Sequence, residues 1–139
     1  MKPPIVAVFS IVILVLGGCA SPTAEEMRTG RSTLKRAWQD AEEGNWEVCA
    51  MNLAATMQHV REGVKLQPVW PTKAGEADLR PYLKAFEAGP WPKLEAAVRQ
   101  RDLAALKPAY IEAANMCYAC HTAVGRKVCL RLPDAIVAP

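Results

Sequence analysis

The residues of this chain with the clearest chemistry are five consecutive ones near its C-terminus, Cys117-Tyr118-Ala119-Cys120-His121. Two thiols three residues apart lie on one side of a helix, where each can add to one vinyl group on the same porphyrin edge. The imidazole beside the second thiol can then coordinate the iron from one side. The C-x-x-C-H pattern therefore predicts one covalent c-type haem, held by Cys117 and Cys120, with His121 as the proximal iron ligand.

Two other uses of a C-x-x-C pair fit the sequence less well. A redox-active dithiol of the thioredoxin type belongs to a βαβ context, and no strand pattern precedes Cys117. A zinc site needs three or four protein ligands, and the other histidine, His59, is distant in sequence. We therefore expect a haem site here.

The N-terminal residues predict export. Residues 5–16 form an apolar run that is short for a membrane span and typical of a signal-peptide core. The run leads into an L-G-G-C sequence that resembles the bacterial lipobox, in which the cysteine is lipidated and becomes the new N-terminus. We expect a lipoprotein signal peptide over 1–18 and lipidation of Cys19. The alternatives are an ordinary signal peptide with an incidental cysteine, or an uncleaved anchor.

The mature chain, 19–139, is long enough for one domain with its own core. By resemblance to Gram-negative lipoproteins, Ala20 rather than Asp after the lipidated cysteine implies sorting to the outer membrane, and the periplasm is the default side for the domain. Lys2 is the only charged residue of the signal peptide, so the chain's 17 basic and 14 acidic residues leave the mature part near neutrality. This balance gives no indication of nucleic-acid binding.

Cysteine counting leaves one pair to explain. Of the five cysteines, Cys19 and the two haem thiols have predicted roles, which leaves Cys49 and Cys129. An exported domain meets oxidising conditions, so a Cys49–Cys129 disulfide is one hypothesis. It would close a loop of about 80 residues, worth ~4 kcal/mol in the chain-entropy model. The alternative is two buried free thiols that pack as small apolar groups.

The mature chain contains four segments with apolar residues at helical spacing and no alternating strand pattern. Residues 66–77 are the longest predicted loop. Thr23 is predicted to cap the first helix in a capping box with Glu26. The predicted caps of the later helices are Asn45, Asp78 and Asp102. The prolines of residues 89–92 predict a break or kink in the third segment, and Pro108 a late start or bend in the fourth. Short connections between four amphipathic helices predict an all-α, antiparallel four-helix bundle with the haem on its C-terminal helix.

A bundle with C-x-x-C-H near the end of its last helix resembles the cytochrome c prime family. The resemblance covers the mature domain in outline, although Gly125 stands where many members have a basic residue. It implies that a first-helix residue controls the sixth iron position, and that this residue is apolar in gas-binding members and Met in low-spin relatives. Met27 matches that position and is a candidate distal ligand, with core packing as the alternative. The resemblance also implies a homodimer.

Other candidate residues have weaker patterns. Met57 is expected in the core, and Met116 is too close to Cys117 to reach the opposite haem face. Tyr110 either lines the haem pocket or packs in the core. His59 lies on a side of its predicted helix that we expect to be exposed to solvent.

The sixth iron position separates the functions that the sequence allows. With a second strong ligand, the protein is a lipid-anchored mono-haem c-type cytochrome that transfers single electrons in the periplasm to an unidentified redox partner. With that position open, it binds small gases such as nitric oxide. A third alternative is a haem subunit of a membrane complex. No distal acid–base group is evident, so we predict no enzyme.

Overall fold

The computed structural model describes residues 21–126, which are mainly helical with one small antiparallel hairpin. The helices are α1 (Pro22–Glu42), α2 (Trp46–Leu66), α3 (Arg80–Ala88), α4 (Pro90–Gln100) and α5 (Leu103–Ala123), and the strands are β1 (Val69–Thr72) and β2 (Gly75–Asp78). Within 21–126 no helix is both long and apolar enough to cross a membrane. The predictions for the signal peptide, Cys19 and Cys129 lie outside the described residues.

Helices α1 and α2 form an antiparallel pair. Gly44 has a left-handed backbone (φ 77°) that lets the chain reverse within three residues, as glycine at a helix end permits. Three polar contacts fix the register of the pair: Asn52 Nδ2 to Asp40 Oδ2 at 2.7 Å, Thr33 Oγ1 to Thr56 Oγ1 at 2.9 Å, and His59 Nδ1 to Glu26 Oε2 at 2.6 Å. The first residues of α1 therefore lie beside the last residues of α2.

The start of α1 differs from the prediction. Ser21, rather than Thr23, is the N-cap, and its Oγ accepts a hydrogen bond from the Ala24 N–H at 3.2 Å. Thr23 is buried in the first turn, and Glu26 contacts His59 instead of closing a capping box. His59 is accordingly half-buried, which corrects its placement on a solvated flank.

The predicted break in the third segment is present at Gly89, which separates α3 from α4. Asp102 caps α5 as predicted, since its carboxylate accepts from the Ala105 N–H at 3.0 Å. Pro108 lies inside α5, but the helix already begins at Leu103, so the late start is wrong.

The core lies between the two long helices of the first half and the helices of the second half. Trp38 of α1 packs edge-on against Tyr110 of α5, with ring centroids 5.5 Å apart. Leu94 of α4 is completely buried, and Met57 of α2 is 3% exposed, in agreement with its predicted core role. Tyr110 is also buried here, so core packing is its role in the structure.

Residues 66–77, predicted as a loop, contain most of a β-hairpin. The strands pair in the register Val69 with Asp78 through Thr72 with Gly75. Each strand has four residues, and Pro71 in one and Gly75 in the other obscure the alternation that reveals longer strands. The hairpin places Trp70 near the end of α5.

Candidate cofactor site

A cavity of about 270 Å³, partly open to solvent, lies where α1 begins and where α2 and α5 end. Helix α3 and Trp70 of the hairpin complete its walls. The lining is largely apolar, with contributions from α1, α2 and α3 that include Leu34, Val60, Val64 and Phe86. Such a concave apolar site with a few polar groups is typical of small-molecule pockets, and its volume is just below their usual range of about 300–1,000 Å³.

The residues that the sequence marked for haem binding line this one cavity. Cys117, Cys120 and His121 contribute from the last two turns of α5, where the i, i+3 and i+4 spacing places them on one face. Met27 contributes from the second turn of α1. Met27 and Cys117, about 90 positions apart in the chain, thus line the same cavity. Met116 also lines the cavity, from the same helix as the thiols.

The charged part of the lining is entirely basic. Arg28 and Arg31 of α1 and Arg126 after α5 line the cavity with exposed side chains, and no Asp or Glu is among the lining residues. The Arg126 guanidinium carbon lies 4.6 Å from the ring centroid of Trp70, a cation–π contact that ties the end of α5 to the hairpin. Arg28, Arg31 and Trp70 were not predicted as part of this site; the i, i+4 spacing of Arg31 from Met27 was the available signal for Arg31 alone.

Burial and positive charge keep His121 neutral. Desolvation lowers the pKa of its imidazole below the ordinary value of 6.5, and the nearby Arg126 and Arg31 guanidinium groups lower it further. A neutral imidazole is the form that coordinates iron. The local electrostatics therefore favour the ligand form of His121 at neutral pH.

The two thiols are also held in their neutral form. Burial raises the pKa of Cys117 to about 12, with the neighbouring Cys120 contributing, and burial raises the pKa of Cys120 as well. Redox-active dithiols of the thioredoxin type have lowered thiol pKa values, so this environment is unlike theirs.

No group of three or more His, Cys, Asp or Glu side chains within 21–126 is arranged to hold a metal ion. The zinc alternative therefore has no ready-made ligand cluster in that part of the chain. A haem needs only one or two protein ligands, since the porphyrin supplies the other four, so the same finding does not bear on it.

Cys49 lies outside the cavity. It is fully buried in the core as a free thiol, and burial together with the Asp40 carboxylate raises its pKa to about 11. Its predicted partner Cys129 lies beyond the described residues, so the disulfide stays a prediction.

Comparisons with protein-family models, with curated proteins and with solved structures find no match for this chain.

Proposed function

We propose that this protein is a mono-haem c-type cytochrome that transfers single electrons. The observation that carries the proposal is the cavity itself: Cys117, Cys120 and His121 line it from α5, and Met27 lines it from α1. Two thiols, one neutral imidazole and one thioether are the side chains that attach and ligate a haem in electron-transfer cytochromes.

The residues around the cavity fit a haem in polarity as well. The apolar walls suit a porphyrin ring, and the Arg126 side chain at the open side suits a propionate carboxylate. Because the cavity is small, one porphyrin edge would extend through that open side, where Arg28, Arg31 and Arg126 lie.

The proposal extends to the fold and the cellular setting. We group α3 and α4 as one helix interrupted at Gly89, which makes the architecture an antiparallel four-helix bundle of the cytochrome c prime type. We also keep the lipid anchor at Cys19 and the periplasm-facing location at the outer membrane as part of the proposal. Assembly as a homodimer or within a membrane complex is compatible with it.

Each side chain of the site has a distinct task in this proposal. The haem supplies a one-electron redox centre when bound. With haem bound, His121 would hold the iron through its neutral imidazole, and the apolar walls would exclude water and so raise the reduction potential. Met27 would hold the iron through its thioether, which would raise the reduction potential further.

One observation favours the gas-binding alternative. The terminal methyl of Met27 packs against Gly63 of α2, so its side chain takes part in helix packing. If this packing holds the Met27 sulfur away from the iron in the haem-loaded protein, the sixth iron position stays open and small gases such as nitric oxide can bind there.

Covalent haem attachment tests the proposal. The full chain is produced in a bacterium that matures c-type cytochromes, and attached haem is measured from the pyridine haemochrome spectrum and the mass of the purified protein. We expect one haem per chain, lost in Cys117→Ser/Cys120→Ser and retained in the control Cys49→Ser. A folded wild-type protein without covalent haem would refute the proposal.

The ferric spectrum then separates the two functions. A low-spin spectrum with a thioether–iron charge-transfer band supports the electron carrier. A high-spin spectrum with rapid nitric oxide or carbon monoxide binding supports the gas binder.

A further inference from the structure

The open side of the cavity carries a strongly basic surface. Arg28 and Arg31 line the cavity from α1, and Lys35 continues the same face of that helix, about 10 Å along its axis from Arg28. Arg126 borders the opening from the end of α5. All four side chains are exposed. We call these four residues the basic rim.

The basic rim has no carboxylate partner among residues 21–126. The ion pairs of that part of the chain lie elsewhere, for example Arg61 with Glu87, Lys93 with Glu112 and Arg101 with Glu47. The Arg126 guanidinium contacts the Trp70 ring rather than a carboxylate. Unpaired like charges on one surface repel one another, and this repulsion is relieved when an anionic surface covers them.

We propose that the basic rim is the docking surface for a redox partner protein with an acidic face. This inference rests on the proposed electron-transfer function and adds the kind of partner. In the docked complex one electron passes from the ferrous haem to a one-electron acceptor centre of the partner, or in the reverse direction. No bond forms or breaks, and no atom is transferred.

The position of the rim favours a protein over an anionic membrane. Three of its four side chains line the same cavity as the haem-binding residues, so whatever covers the rim lies at the porphyrin edge. Electron transfer requires that closeness, whereas phospholipid headgroups accept no electrons. Charge complementarity at this edge increases the rate of productive encounter, and salt weakens it.

The test compares two small oxidants of opposite charge. The ferrous, haem-loaded full chain in neutral detergent is oxidised by hexacyanoferrate(III), an anion, and by tris(phenanthroline)cobalt(III), a cation. The rim variant is Arg28→Gln/Arg31→Gln. The control is Arg99→Gln/Arg101→Gln, which removes the same charge just before the start of α5, one helix length of about 30 Å from the cavity.

We expect the rim variant to lower the rate with the anionic oxidant by roughly tenfold at ~10 mM salt and by less than about twofold at ~1 M salt. The rate with the cationic oxidant should rise or stay constant, and the control should change both rates by less than about twofold. Equal rates in the rim variant and the wild type at low salt would overturn the inference.

Binding to anionic vesicles tests the alternative that the basic rim contacts a membrane rather than a protein. Phosphatidylglycerol vesicles that bind the wild type more tightly than the rim variant, with equal oxidation rates for the two proteins, would overturn the partner proposal in favour of a lipid contact. Failure of the proposed function is recognised separately, because a chain without covalent haem shows no haem oxidation with either reagent.

Discussion

The terminal methyl of Met27 lies 2.8 Å from the position that a β-carbon would take on Gly63. The Met27 Cγ is 3.4 Å from the same position. The candidate distal ligand on α1 is therefore accommodated by the missing side chain of one residue on α2. The structure makes Gly63 a determinant of where the Met27 sulfur lies, although Gly63 itself does not line the cavity.

We expect Gly63→Ala to displace Met27, because a contact of 2.8 Å is far inside the normal separation of two carbon atoms. If Met27 ligates the iron, the displacement should weaken the thioether–iron band and speed carbon monoxide binding. Because the contacting atom is the flexible end of the Met27 side chain, moving it costs little, and the gain in helix propensity should keep the free energy of unfolding within about 1 kcal/mol of the wild type.

Gly30→Ala is the matched control for that substitution. A β-carbon on Gly30 would lie 3.4 Å from the His59 Cβ and 3.5 Å from the Val60 Cγ2, separations that neighbours can accommodate. The iron spectrum of Gly30→Ala should match the wild type. If Gly63→Ala also leaves the spectrum unchanged, Gly63 does not position an iron ligand.

Substitution of Met27 itself tests its role directly. Met27→Leu preserves approximate volume, so the free energy of unfolding should change by less than about 1.5 kcal/mol. Loss of the thioether should convert a low-spin ferric spectrum to high-spin and lower the reduction potential. Met57→Leu, a similar change in a core Met outside the cavity lining, should leave both unaltered. A wild-type spectrum that is high-spin and unchanged in Met27→Leu would show that Met27 is not a ligand.

The contact between Arg126 and Trp70 should couple α5 to the hairpin energetically. A double-mutant cycle with Trp70→Ala and Arg126→Ala, followed by urea unfolding, should give a coupling free energy of about 0.5–1 kcal/mol. The physical reason is the attraction of the guanidinium for the indole ring face, at 4.6 Å in the structure. Additive effects of the two substitutions would mean that the ring contact does not stabilise the end of α5.

Cys49 should make the protein less stable in alkali. An unfolded thiol loses its proton near pH 9.0, whereas the pKa of buried Cys49 is about 11. Between these values the unfolded state binds fewer protons than the folded state, so the free energy of unfolding falls as pH rises. The loss should approach roughly 2 kcal/mol by pH 11. Urea unfolding of the haem-loaded protein at several pH values should show a flatter decline in Cys49→Ala than in the wild type.

Burial also raises the pKa of Tyr110. Because Tyr110 is present in both the wild type and Cys49→Ala, the difference between their slopes of unfolding free energy against pH is due to Cys49. Identical slopes would mean that Cys49 has no titratable thiol, as in the predicted disulfide with Cys129. Thiol counting in denaturant without reductant distinguishes the two states, since two thiols in the haem-loaded, lipidated protein exclude the disulfide.

Several structural features could be predicted because they depend on local chemistry. The Asp102 cap and the break at Gly89 each involve residues within one or two turns of one another, and both are present. The hairpin was missed because its two strands are short and contain Pro71 and Gly75. Its pairing depends on contact between strands rather than on periodicity along one of them.

The sequence by itself determined which side chains could attach and ligate a haem, because Cys117, Cys120 and His121 are neighbours on one turn of helix and their spacing sets their common direction. Only the tertiary structure decided that Met27 lines the same cavity and that Gly63 makes room for it. Those relationships depend on the register of α1 against α2 and on the separation of α1 from α5. Packing between distant segments sets this register and this separation, and no local sequence pattern encodes that packing.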